Sequence, residues 1–311
     1  MNVTRRTLLG TIAAGFAASA GFEAVAEGDW PSRLVRLISP YGAGGSNDIS
    51  LRILAEQFGR SFNQQFIVEN RPGAGTRIAN EMVARAAPDG YTFLYAAAPY
   101  ATAEALFGKL KYERKDLQPV AMAVMAPLFL IANAKAGVTS LQELIVRGKS
   151  QPDGLTFASP GAGSQPHLAA ELWLRDAGVK GLNVQYRGDA MAYTELLAGR
   201  VDATLTAIST ALPHIQSGDF RVLGVASAER SAIYPDAPTL REQGFPNVVA
   251  SGWFGFMAPQ PIVGRMQEEI IRALGDAEVK QRLLAQGLEA RPAPLPISAS
   301  SSTTRRVNGA T

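Results

Sequence analysis

No cysteine occurs in the 311 residues. That excludes disulfides and thiolate-held metals. It also removes the cysteine that a lipid-anchored exported protein carries at its cleavage site. Histidine is nearly as scarce, with only His167 and His214. No H-E-x-x-H or other metal spacing is present, and no G-x-S-x-G marks a nucleophile. The acidic residues stand mostly singly, without an acid–base couple. Neither charge sign dominates, since 30 Lys and Arg face 27 Asp and Glu. There is no basic helix and no basic stripe interleaved with aromatics, which argues against nucleic acid as a partner. Beyond the N-terminus no apolar run approaches the roughly 20 residues of a membrane span. Nothing here calls for a metal or a cofactor.

What is present begins with an address. Thr4, Arg5 and Arg6 open a basic segment, and an Ala- and Gly-rich apolar stretch follows to about residue 22. Ala24-Val25-Ala26 is an A-x-A site, so residues 1–26 read as a cleaved export signal, with cleavage before Glu27. The arginine pair points to the twin-arginine route, although a Sec signal can carry the same pair. The mature chain is expected to be periplasmic and soluble, with no lipid anchor. Its 47% hydrophobic content suits one large or two medium globular domains.

After residue 30 strands and helices alternate. Strands are expected at 34–39, 65–69, 91–97, 128–132, 155–159, 181–186, 203–207, 221–226 and 253–257. Helices are expected at 48–62, 76–87, 102–106, 140–149, 167–177, 190–197, 212–217 and 262–274. This is the βα pattern of open, largely parallel sheets. The two halves echo one another. A strand, the turn PYGAGGSN at 40–47 and a helix in the first half match a strand, the turn PGAGSQP at 160–166 and a helix in the second. Two similar α/β domains are implied, each with a glycine-rich turn at the C-terminal end of a strand, where open α/β sheets bind ligands.

The turns are not nucleotide fingerprints. Gly42-Ala-Gly44-Gly-Ser-Asn47 lacks the third glycine of G-x-G-x-x-G, as do the turns beginning at Gly73 and Gly161. The Gly-Lys-Ser at 148–150 has Glu143 where a P-loop needs glycine. Their physics survives. Glycine admits a ligand close to the backbone, and a helix start offers unpaired N–H groups that favour an anion. Asp48 is expected to cap the first helix. Two opposed helix starts would suit a carboxylate, although plain strand-to-helix connections remain the alternative. His167, beside the second turn, either meets a ligand or bonds nearby backbone. Trp173 falls at core spacing, and Trp253-Phe254-Gly-Phe256 is a buried strand or a cleft wall.

In this order, the segments PYGAGGSND (40–48), ENRPGAG (69–75), PDGYT (88–92), ASPGAGSQPHL (158–168), YRG (186–188), GRVD (199–202), PDAPT (235–239) and WFGFMAP (253–259) resemble the receptors of tripartite tricarboxylate transporters, the Bug-type periplasmic receptors. The resemblance implies a two-lobed α/β Venus-flytrap fold, each lobe an open, mostly parallel sheet flanked by helices. Lobe I would take 27–127 and 250–291, and lobe II 128–249. It implies no catalysis, capture of a small carboxylate, and delivery of it, as a monomer, to membrane permease subunits or to a sensor kinase. Carried over by position, the ligand contacts would be Tyr41, Gly45, Ser46 and Asn47 from lobe I. Opposite them would stand Ser159, Gly163, Ser164, Gln165 and His167, with Gly188, Asp189 and Ser209 on later loops. The sequence departs from the family pattern at Ala43, Thr76 and Gln185, and after residue 291. Residues 292–311 have no apolar periodicity and are expected to be disordered, in keeping with an altered reading frame or truncation near residue 295. Two rivals remain: an exported hydrolase or transferase using Ser164 or Ser46 with His167, and a receptor for a phosphate, a sulfonate or a sugar.

Overall fold

The computed structural model describes residues 30–259 and 264–293. The export signal expected at 1–26 and all but the first two residues of the expected tail lie outside the described residues.

The first half runs β1 (Val35–Ser39), α1 (Ser46–Phe62), β2 (Phe66–Asn70), α2 (Arg77–Ala84), β3 (Thr92–Ala97) and α3 (Pro99–Phe107). A long strand β4 (Gln118–Asn133) follows, then α4 (Leu141–Ser150), β5 (Leu155–Ser159), α5 (Gln165–Ala177), β6 (Gly181–Gln185), α6 (Asp189–Leu197), β7 (Ala203–Ala207), α7 (Leu212–Gln216) and β8 (Phe220–Val225). The chain ends through β9 (Ser251–Ala258), α8 (Gly264–Gly275), α9 (Ala277–Ala285) and β10 (Glu289–Ala293).

The strands lie in the order β2-β1-β3-β9-β4-β7-β5-β6, with β8 and β10 pairing β4 off that path. β1 lies parallel to β2 and β3, and β5 lies parallel to β6 and β7. Among the described residues every antiparallel pairing involves β4 or β9. The sheets are therefore mixed, less parallel than the βα pattern predicts.

The expectation of a strand only at 128–132 missed the first ten residues of β4. Pro119 and Pro127 discourage a strand reading because proline cannot donate to the ladder, yet both lie inside it. Pro127 marks a change of partner. Residues up to Pro127 pair with β9, the last as Pro127 with Ser251, whereas Leu128 already pairs with Ala207 of β7. A residue without an N–H suits the point where the strand leaves one ladder for another. Two further elements were not expected, α9 and β10. The latter takes in Pro292 and Ala293, which the sequence reading assigned to the tail.

Each lobe buries both faces of its sheet. Leu128, Leu130 and Ala132 enter a core with Phe157 and Trp173, while the alternating Phe129 and Ile131 enter another with Tyr193 and Phe220. The alternation is the strand period at work. In the first lobe Ile38 and Leu94 pack with Val83 and Tyr100 on one face. On the other, the rings of Phe58 and Tyr95 close on Phe256 at centroid distances of 5.7 and 4.8 Å.

An ion cluster ties β1 to β2. Arg36 Nε and Nη2 donate to the two carboxylate oxygens of Glu69 at 2.6 and 3.0 Å, and Arg71 Nη2 adds a bond of 2.9 Å. Hydrogen bonding from Arg36, then from Arg71, overcomes partial burial and pulls the Glu69 carboxyl down to about 2. A depressed carboxyl contributes stability above its unfolded value and loses it as pH falls through the folded one. Solvent screening at this part-exposed cluster limits the contribution to about 1 kcal/mol. We therefore expect Glu69→Gln to lower unfolding stability by about that amount at pH 7. In denaturant titrations the gap should close between about pH 4 and pH 2. An equal gap at both ends would show that the cluster's charge does not matter.

Candidate functional site

The first glycine turn follows β1 and feeds α1. Gly44 adopts φ +81°, and Gly45 is the extended N-cap with no side chain to cap the helix. The helix start is buried, so its N–H groups need an acceptor. The acceptor comes from the other lobe. Asp189 Oδ2 accepts Ser46 N–H at 3.2 Å and Ser46 Oγ–H at 2.5 Å, and Oδ1 accepts Thr206 Oγ1–H at 2.9 Å. Asp189 is only 7% exposed and opens α6, so its carboxylate sits at the positive ends of two helices. Asp48 is not the cap that the sequence reading expected. It lies in the first turn, accepts Gly44 N–H at 2.9 Å, and is held by Arg52 and Asn70. Burial works to raise its carboxyl, but Arg52, Gly44 and Asn70 together hold it below the usual carboxylate range. Asn47 is also engaged: its Oδ1 accepts from Ser39 Oγ at 2.7 Å, and its Nδ2 donates to Tyr95 O at 3.3 Å.

In the second turn Ser164 is the N-cap of α5. Its Oγ accepts His167 N–H at 3.3 Å and donates to Gly161 O at 2.7 Å. His167 Nδ1 accepts Gly163 N–H at 3.1 Å, so the proton of a neutral ring lies on Nε2, which faces Glu171 at 3.7 Å. The imidazole thus serves the turn. Neither serine is bonded to it, since Ser46 Oγ goes to Asp189 and Ser164 Oγ meets only the His167 backbone. The serine–histidine couple of the hydrolase alternative is therefore not assembled.

The lobes also touch through main-chain oxygens. Gly42 N–H donates to Arg187 O at 2.7 Å, and Thr102 Oγ1 donates to Gly163 O at 3.0 Å. Gly188, at φ +142°, lies so close that a Cβ there would meet Gly42 N at 3.3 Å.

Behind these contacts is an inner cavity. Of the residues expected from the sequence, Tyr41, Gly45, Ser46 and Asn47 line it from one side and Ser164, Gln165 and Asp189 from the other. Five do not line it. Ser159 is buried and donates to Asn183 Oδ1 at 2.6 Å. Gly163 packs on Thr102 and Leu106, and His167 bonds its own turn. Gly188 meets Gly42, and the Ser209 hydroxyl is buried with no hydrogen-bond partner. Missed were Thr206 and Ala207 at the end of β7, Ala97 at the end of β3, and Leu128 at the β4 crossing. The rule that ligands bind at strand C-termini would have found the first three. Trp253 and Phe254 are walls of this cavity, whereas Phe256 is fully buried core. Among the described residues Asp189 is the only charged one of the lining. Burial, with the Asp189 charge beside it, pushes the Tyr41 phenol far above its ordinary value, so it stays a neutral donor. The cavity holds only ≈ 30 Å³, room for a water or two, so any larger occupant must part the walls.

Among the described residues no helix is long and apolar enough to cross a membrane, and no group of His, Cys, Asp and Glu could hold a metal. The model of the tripartite tricarboxylate transporter family receptors, TctC, matches residues 50–290. Protein BugT of Bordetella pertussis is 38% identical over 295 residues, covering 92% of this chain and 90% of its own. MatC from Rhodopseudomonas palustris, solved with bound malate, superposes with a TM-score of 0.78 at 32% identity, covering 83% of this chain and 90% of its own. An R. palustris protein solved with adipate gives 0.82 at 29% identity, covering 86% and 91%. A two-lobed α/β chain with its glycine turns opposed across a cleft, matched by the family model over most of its length, belongs to the tripartite tricarboxylate transporter receptors, a family of periplasmic solute-binding proteins rather than enzymes.

Proposed function

We propose that this receptor captures a small organic acid between its lobes in the periplasm and presents it, as a monomer, to the membrane permease of a tripartite transporter. Residues 1–26 serve as its cleaved export signal, and no lipid anchor holds the mature chain. The observation that carries the reading is the meeting of two glycine turns from opposite lobes over one inner cavity. Its support is the family, in which relatives of similar sequence were solved with malate and adipate. Delivery to a sensor kinase rests on the same capture and differs only in the partner.

The chain passes between sheets at Pro127–Leu128, and again where β9 begins at Ser251. These two crossings are the natural hinge between a first lobe ending near residue 127 and a second ending near residue 249. The lobes part to admit the acid. Closure then re-forms the Gly42–Arg187 bond and removes water from the ligand's polar contacts, which strengthens them. The α5 start, with Ser164 and Gln165, and the phenol of Tyr41 offer donors to the acid. Trp253 and Phe254 shield its apolar part.

Thermal unfolding of the mature protein should rise with one or more of a panel of mono-, di- and aminocarboxylates. Saturation at about 100 times Kd adds roughly 2.7 kcal/mol. Stabilisation by phosphate or a sugar, with none by any carboxylate, would sink the organic-acid reading.

Closure has its own probe. Gly42 does not need a positive φ, so alanine there leaves the open lobe unstrained. In the closed form, however, its Cβ would stand 2.9 Å from Arg187 O. We expect Gly42→Ala to weaken ligand affinity roughly tenfold, about 1.4 kcal/mol, while the ligand-free melting temperature barely moves. Unchanged affinity in calorimetry would mean that the glycine contact plays no part in binding.

A further inference from the structure

We propose that Asp189 determines specificity by pairing with a protonated amino group of the ligand, so that the receptor prefers aminocarboxylates to dicarboxylates. This deepens the organic-acid reading and rests on it.

The argument starts from what the anion cradle already contains. The α1 start, which the glycine turn presents to the cleft, is taken up by a carboxylate of the protein itself. Three donors reach Asp189: Ser46 N–H, Ser46 Oγ–H and Thr206 Oγ1–H. A carboxylate accepts about four hydrogen bonds, so capacity remains on a group that lines the cavity. All three donors are neutral. Among the described residues every other member of the lining is uncharged, so these walls offer no counter-ion. Neutral donors and helix starts compensate a buried carboxylate less fully than a cation does. A ligand that brings an ammonium supplies what is missing, with three donors of its own. A second ligand carboxylate in the same place would meet a like charge in a site from which closure removes water.

The next space outward carries the opposite sign. It shares Tyr41 and Pro160 with the inner cavity, and among the described residues its only charged lining residue is Arg187. Arg187 is exposed, and its main-chain oxygen accepts the Gly42 N–H. The charge order across the cleft is therefore negative within and positive at the mouth. That order fits a ligand whose amino end lies inward and whose carboxylate lies toward the second glycine turn and the mouth.

The test uses matched skeletons on the full mature protein by titration calorimetry. The four-carbon probes are butyrate, succinate, 2-aminobutyrate and 4-aminobutyrate. The six-carbon probes are hexanoate, adipate, 2-aminohexanoate and 6-aminohexanoate. The expected result is that an aminocarboxylate binds about tenfold or more tighter than the dicarboxylate of its length. Asp189→Asn, which keeps the shape and one acceptor, should weaken the aminocarboxylate and strengthen the dicarboxylate, inverting that ratio. A residue that merely latches the lobes would lower both alike, so an unchanged ratio overturns the proposal. So does a wild-type preference for succinate or adipate, while leaving the organic-acid reading intact. Binding of none of the eight, alongside binding of phosphate or a sugar, removes the organic-acid reading itself and this proposal with it. Should Asp189→Asn fail to fold, the wild-type ranking alone decides. Arg187→Gln should weaken all carboxylate probes by a few-fold at equal ratios; no change would overturn the proposed orientation.

Discussion

One strand belongs to two sheets, and the rest of the molecule is arranged around that constraint. The sixteen residues of β4 pair with β9 up to Pro127 and with β7 from Leu128 onward. Both lobes are thereby fixed to a common axis, with their helix starts turned toward the same gap. The side chains of β4 alternate between cores as strand geometry demands, so Phe129 and Leu130 stabilise different layers. The ends of β3 and β7 then deliver Ala97 and Thr206 to the cavity. Strand register thus sets part of the site, and the two glycine turns complete it.

Much of this was legible in the chain because apolar runs were punctuated by glycine. β5 at Leu155–Ser159 and β7 at Ala203–Ala207 lie where the sequence placed them. Their short buried runs end at turns with a stated backbone reason. The first part of β4 was not legible, because its two prolines and its Ala- and Met-rich composition are poor strand signals. β10 was hidden for a similar reason, since Pro292 lies inside it. In the site, the glycine turns announced themselves and Asp189 was named among the contacts. What could not be read was that Asp189 would serve as the anion at the α1 start. The bond joins residues 143 positions apart, and no local pattern encodes it. His167 misled because proximity to a glycine turn fits two roles. Only geometry shows that its Nδ1 accepts from Gly163.

The polar chemistry of the cleft is divided between kinds of atoms. Two of the contacts between the lobes end on a backbone oxygen, Gly42 N–H on Arg187 O and Thr102 Oγ1–H on Gly163 O, while a third joins Ser46 to the Asp189 side chain. The inner wall is different in kind, with one carboxylate, neutral hydroxyls and amides, and the rings of Trp253 and Phe254. Among the described residues of that wall there is no arginine, the residue whose bidentate clamp grips carboxylates in many proteins. What that wall offers is a few neutral donors, two ring faces and the carboxylate of Asp189.

The backbone character of the Gly42–Arg187 bridge has a consequence for how such a protein can change. Main-chain groups are present whatever the side chain, provided no Cβ intrudes. That one bridge can therefore persist while the cavity-facing residues are exchanged. Altering position 253 would reshape the cavity wall and leave that bridge in place. The same division makes it a tractable scaffold for engineering, in which the glycines are the parts to leave alone.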